Sequence, residues 1–423
     1  MNNIITPNDG FIRRSSGLIT PITDVEKREI YYQKNYDMIA HYISYLVDGH
    51  HRIYVEDCEM DSNGFFEPRI SPVSEAIKMA ASPDVAIAPN DILIDPRKMR
   101  NKISAKKVCR FCGRTSPEVS FRKAAHALSE LVGNKRIFLR NECDECNELF
   151  GKLYEDAFSK YLGPARTIAQ IDGKEGTPSY KNEEGTIRID VGDKRTVIQE
   201  VTGNGNIDLH EDHIDMHLIK ESYSPLAVYK ALVIMALSIM PYNEFKAFKE
   251  IVEWVLEKDI KKSKYDLSCY ASQIIERFLA GAKPLPVQAW LFRRKSIITS
   301  GTWEVYDVPY CQFILEFDNF SFQIIVPNIQ KDAVLWNRKV NVPAFPSSFD
   351  VRPELRKNRD IGSAIRNFSN PEKVKGERAE LSLQFEHREE QSGDLGTVEE
   401  MAKREGVKPL KPKQSKCMNN EES

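Results

Sequence analysis

Residues 109 to 151 read CRFCGRTSPEVSFRKAAHALSELVGNKRIFLRNECDECNELFG. Two Cys-x2-Cys knuckles, Cys109 with Cys112 and Cys143 with Cys146, bracket one histidine, His126, and Asn147 follows the second knuckle directly. Thirty residues lie between the knuckles. Two such pairs suit a tetrahedral site in which four thiolates share one structural Zn2+. The chain holds eight cysteines, and half of them fall into these two identical spacings, so coincidence is a weak explanation. The bland alternative is a plain zinc ribbon that props up a loop. What the metal would staple together here, however, includes His126 and Asn147.

The quartet, His126, the Gly133-Asn134 pair and the closing Cys-Asp-Glu-Cys-Asn together resemble the HNH endonuclease family, in its zinc-stapled branch. The resemblance covers residues 105 to 165. The quartet alone would match many zinc ribbons; the full combination is narrower. It implies a small ββα-metal unit that hydrolyses phosphodiester bonds. A phosphodiester is anionic, so attack by water needs charge neutralisation and proton removal. In such a unit a divalent ion, Mg2+ or another, acts on the scissile phosphate, and a neutral imidazole takes the proton from water.

By that resemblance His126 is the base, Asn147 a metal ligand or orienter, and Asn134 the middle asparagine that shapes the hairpin loop, with Asn141 as a rival. One departure stands out. Many family members carry an acid just before the histidine, whereas this chain has Ala124 and Ala125. Glu130, the nearest carboxylate downstream, is then the candidate oxygen ligand for the catalytic metal; Glu118 lies upstream. The competing reading is a degenerate zinc-stapled module that binds nucleic acid or a protein partner.

Charge around the motif supports a nucleic-acid partner; DNA is the expected one, although charge does not separate DNA from RNA. Residues 101 to 160 hold 12 basic and eight acidic side chains, against a net charge of −2 for the whole chain. Arg122, Lys123, Lys135 and Arg136 flank His126 and the hairpin loop and are candidate phosphate contacts. The near-neutral whole argues against a protein that binds polyanions with its entire surface. With 41% hydrophobic and 29% charged residues the composition is that of an ordinary folded protein. No apolar stretch is long enough to span a bilayer, and the start lacks a secretory pattern, so the expectation is a cytoplasmic protein with no membrane partner. There the cysteines stay reduced. The resemblance also suggests a role in bacterial defence.

Outward from the motif, the expected fold class is α+β: the small zinc-stapled unit (105–165) followed by a mixed α+β domain (178–350). Residues 1–104 carry no recognised motif, and 353–423 read as a disordered charged tail. Residues 24–47 read as one helix capped by Asp24, and residues 72–81 as a shorter one. The helix from Asn147 to Leu162 closes at Gly163-Pro164. Residues 185–220 alternate as strands and include His210, His213 and His217, for which a solvated sheet face is the simplest reading. Then come an all-round apolar helix, LAVYKALVIMALSIM after Pro225, a second helix over 243–258, and a hairpin of CQFILEF and FSFQIIVP turning at Asp318-Asn319.

Overall fold

The computed structural model describes residues 11–13, 19–21, 24–47, 50–56, 92–93, 107–135, 137–139, 141–173, 176–192, 195–201, 205–279, 285–295, 308–333, 342–346, 361–384 and 397–410. Helices and strands are mixed, as expected of an α+β chain. Contacts group the residues into two units, 1–155 with 225–371, and 156–224 with 372–423. This partition differs from the boundaries expected at 105, 165, 178 and 350. Long-range strand pairing decides it, and linear composition carries no record of which distant strands pair.

The first unit is built on a seven-stranded antiparallel sheet in the order Ile361–Arg366, Ile274–Leu279, Phe320–Val326, Cys311–Asp318, Leu285–Arg294, Tyr36–Val47, His50–Glu56. The expected hairpin Cys311–Asp318 with Phe320–Val326 forms its centre. Nearly every residue of the hairpin is buried, the polar Gln312, Glu316, Ser321 and Gln323 included, and Gln323 Nε2 donates to Gln312 Oε1 at 2.7 Å. Asp318 takes the turn at φ 46°. The helix Pro225–Ile239 is buried along its whole length, and Tyr229 Oη donates to Ile325 O at 2.6 Å. Tyr31, Tyr32, Tyr36, Met38, Trp290, Phe292 and Phe345 make a further core cluster.

Two expectations are corrected, and a third lies outside the described residues. Residues 24–47 are not one helix: the helix stops at Asn35, and Tyr36–Val47 is a strand paired with Leu285–Arg294 and His50–Glu56. The aromatic and β-branched run after Asn35 favours a strand, and Tyr36, Met38, Ala40 and Tyr42 are buried at the two-residue period of a sheet. His50 and His51 open the strand His50–Glu56. The helix over 243–258 is broken into Tyr242–Phe245, a 3-10 turn Lys246–Phe248, and Lys249–Leu256, although Phe245, Phe248, Ile251, Val252 and Val255 face inward as expected. The shorter helix expected over 72–81 lies outside the described residues.

The second unit holds two three-stranded sheets, Arg195–Glu200/Ile187–Gly192/Tyr180–Lys181 and Ile207–Leu209/His213–Ile219/Arg378–Gln384. Tyr180, Ile187, Ile189, Met216 and Leu218 form its core. The reading of 353–423 as a disordered tail is corrected. Among the described residues, Ile361–Arg366 joins the large sheet, Arg378–Gln384 pairs along His213–Ile219, and Val398–Arg404 is a helix with a Thr397–Glu400 capping box. Ala379, Leu381 and Leu383 pack on the core at alternate positions. A polar stretch needs only that sparse apolar face once a partner strand supplies the backbone hydrogen bonds. Among the described residues no helix is long and apolar enough to cross a membrane.

One charge is buried in the apolar helix. Lys230 is 0% exposed; its Nζ donates to Trp254 O at 2.7 Å, lies 4.5 Å from the Trp254 ring centroid and is 3.9 Å from the Glu257 carboxylate. Burial pulls its pKa down to about 8, and Glu257 offsets only part of this. The unfolded chain therefore holds a proton that the folded chain has lost between pH of about 8 and the ordinary lysine value of about 10.4, so stability rises with pH across that window. The shift corresponds to roughly 3 kcal/mol. Chemical denaturation at neutral and alkaline pH is expected to reveal this rise in the wild type and its absence in Lys230→Met. A parallel pH dependence of the two proteins would contradict it.

Candidate metal centre and the His126 cleft

Cys109 opens a tight knuckle. Its N–H donates to Arg114 O at 2.8 Å, and its carbonyl accepts the Gly113 N–H at 2.9 Å. Gly113 sits at φ 71°, where a side chain would be strained. Cys143 is the N-cap residue of the helix Asp144–Phe150, and Cys146 lies in that helix. The four sulfurs lie within 4.8 Å of one another. Cys109 Sγ is 3.8 Å from Cys146 Sγ, and Cys112 Sγ is 3.7 Å from Cys143 Sγ. These distances exclude disulfides, with their S–S bond of about 2.05 Å. They match the edge of about 3.8 Å made by four sulfurs at about 2.3 Å from a tetrahedral ion. The quartet can hold a metal such as zinc.

The knuckles organise what lies around them. The Asp144 carboxylate accepts the Ser120 hydroxyl at 2.5 Å and the backbone N–H groups of Arg122 and Lys123 at 3.0 and 2.8 Å. The second knuckle thus holds the segment that leads to His126. From the first knuckle, the Arg110 guanidinium donates to Met240 O and stacks 4.1 Å from the Phe245 ring centroid, and Phe111 packs edge-on against Phe150.

His126 lies on the two-residue strand Ala125–His126, paired with Phe138–Leu139, and its ring packs 4.6 Å from the Phe138 ring. The loop between these strands is closed by Ser129, which caps the turn Glu130–Val132, by Gly133 at φ 87°, and by Asn134. Asn134 is fully buried. Its amide donates to Leu128 O and Ile137 O at 2.5 and 2.9 Å, and its oxygen accepts the Ile137 N–H at 2.9 Å. Each buried polar group left without a partner costs about 1–3 kcal/mol. Asn134→Ala is therefore expected to lower stability by roughly 3 kcal/mol in chemical denaturation, far more than an exposed substitution; a change within about 0.5 kcal/mol would contradict this role.

His126 and Asn147 line one cleft. Glu142, Phe150, Tyr154 and Glu155 share it, together with Ala231, Ile234, Met235 and Ser238 of the apolar helix. It leaves about 10 Å3 for the centre of a water, which is room for about one molecule. Burial pushes the His126 pKa down; nearby Glu130 opposes this and Lys135 adds to it. The imidazole is thus held neutral. Burial raises the carboxyls of Glu142 and Glu155, with Cys109 reinforcing the first and a Ser129 hydrogen bond moderating the second. Glu155 comes from a π-helical turn, Gly151–Glu155, inserted between the helices Asp144–Phe150 and Asp156–Leu162.

The structure separates the residues singled out in the sequence. His126 and Asn147 meet in the cleft, and Asn134 clamps the loop behind it. Glu130 does not line the cleft; its carboxylate pairs with Lys135 Nζ at 2.8 Å. Asn141 does not line it either, and its carbonyl accepts the Arg110 N–H. Arg122 and Lys123 are exposed, with Lys123 Nζ 3.8 Å from Glu148. Arg136 lies outside the described residues. Glu142 and Glu155 escaped the sequence reading. Their only signals were the position of Glu142 beside Cys143 and that of Glu155 eight residues after Asn147.

Among the described residues, the cleft side chains do not make a compact set of three His, Cys, Asp or Glu ligands, as the cysteine quartet does. Glu142 and Glu155 are the carboxylates that line the cleft, and Glu130 is not placed to add a third. No family model, curated protein or solved structure matches the chain.

Proposed function

We propose that residues 107–155 form a zinc-stapled, HNH-type nuclease unit that hydrolyses phosphodiester bonds in nucleic acid, DNA above all, in a reducing cytoplasm. The observation that carries this reading is the convergence of a neutral His126 and Asn147 in one cleft beside the cysteine quartet. The four thiolates hold Zn2+ as a structural ion that ties the His126 hairpin to the Asn147 helix. His126 is the general base: a ring nitrogen takes the proton from the attacking water. The Asn147 amide orients the reacting groups. Exposed Arg122 and Lys123 contact phosphates without reading bases.

A second reading draws support from the missing acid at Ala124-Ala125 and from a cleft that admits about one water under the apolar helix. In it, the unit is a binding module without catalysis. Incubating the purified chain with supercoiled plasmid, with Mg2+ or Mn2+ and without, separates the two. The nuclease reading expects metal-stimulated nicking. DNA binding with no cleavage under any divalent ion would leave the binding module in its place.

A further inference from the structure

We propose a second metal site, for a divalent first-row transition ion such as Zn2+, held by His210, His213 and Asp215 on the hairpin Ile207–Leu209/His213–Ile219. The His210 N–H donates to His213 O at 2.9 Å and closes the turn, so both rings stand side by side, stacked at 4.2 Å and 11°. Their Nε2 atoms converge on one carboxylate oxygen: Asp215 Oδ2 is 3.4 Å from His210 Nε2 and 3.6 Å from His213 Nε2. A charge-assisted hydrogen bond would bring such atoms to about 2.7–2.9 Å. Ligands at about 2.1 Å from a shared tetrahedral ion would instead lie about 3.4 Å apart. The observed separations follow the second geometry.

The surrounding groups point the same way. His213 Nδ1 bonds the Asp212 carboxylate at 2.6 Å, which leaves Nε2 to face Asp215. Ser382 lies directly opposite Asp215 on the neighbouring strand. Two imidazoles and one carboxylate suit Zn2+, Co2+ or Ni2+ and not the all-oxygen shells of Ca2+ or Mg2+. Three protein ligands on a partly exposed face leave a position open to water or to an anionic oxygen.

The same sheet face carries its own control. His217 stands between Asp208, at 3.0 Å, and Glu380, with the short contacts of an ordinary ion pair. His213 makes the same kind of short contact with Asp212, so the separations set apart are the two to Asp215 alone.

Equilibrium dialysis of the full chain against buffered free Zn2+ tests the assignment. Wild type is expected to retain about one zinc per chain more than His213→Ala or Asp215→Asn, and His217→Ala to match wild type. Asp212→Asn is expected to weaken the site by about 10- to 100-fold. Equal zinc in wild type, His213→Ala and Asp215→Asn would overturn the proposal. So would an equal loss in His217→Ala. Asp215→Asn preserves side-chain shape, and matching melting curves will show that its loss is one of ligation. Zinc in the cysteine quartet is common to all these variants, so the outcome is independent of the nuclease reading.

Discussion

Cys143→Ser is expected to release about one zinc per chain and to unfold the segment 107–150. Serine keeps the size of cysteine, but its hydroxyl is not ionised at neutral pH and does not replace a thiolate. Structural zinc contributes an apparent 10–16 kcal/mol in small zinc domains, as much as the whole stability of a typical domain. The segment's own regular elements are short. Its strands are two residues long, and its second knuckle both starts the helix Asp144–Phe150 and fixes residues 120–123 through Asp144. Hydrogen exchange should lose protection over 107–150, while the buried strands Cys311–Asp318 and Phe320–Val326 keep theirs. A zinc-free variant with native protection over 107–150 would refute the structural role of the ion.

His126→Ala is expected to lower DNA cleavage by about a hundred- to ten-thousand-fold, the usual effect of removing a general base. Zinc content and DNA affinity should hardly change, because the ring touches neither the cysteines nor the exposed Arg122 and Lys123. Its pH dependence has a definite sign. The base works when neutral, and burial lowers its pKa, so the acid limb of the rate profile should fall below the ordinary histidine value of about 6.5. Glu155→Gln should alter the rate more than Glu130→Ala, since Glu155 lines the cleft and Glu130 is paired with Lys135 outside it. Cleavage by His126→Ala at the wild-type rate would remove His126 from the chemistry.

Much of the site was legible because its signals are local. Spacing alone foretold that Cys109, Cys112, Cys143 and Cys146 come together, and the Gly133-Asn134 pair marked the loop that Asn134 now clamps. Glu142 and Glu155 were not legible. What makes them unusual is burial under the helix Pro225–Ile239, a segment far along the chain, and a π turn that re-aims the residues after Phe150. Glu130 stands differently. It was chosen because it is near His126 in sequence, yet its carboxylate turns to Lys135.

The amino-acid sequence by itself determined the cysteine quartet, the buried helix after Pro225, the central hairpin around Asp318, and the alternation that leaves His213, Asp215 and His217 on the polar face. Each rests on short-range chemistry: ligand spacing, capping, turn preference and side-chain period. Only the tertiary structure decided that Tyr36–Val47 is a strand, that Arg378–Gln384 completes a sheet, and that the cleft around His126 closes against a helix about a hundred residues away. In those places local preference does not choose the partner. A partner strand or helix supplies the hydrogen bonds and buried surface, and which partner arrives is a property of the folded chain.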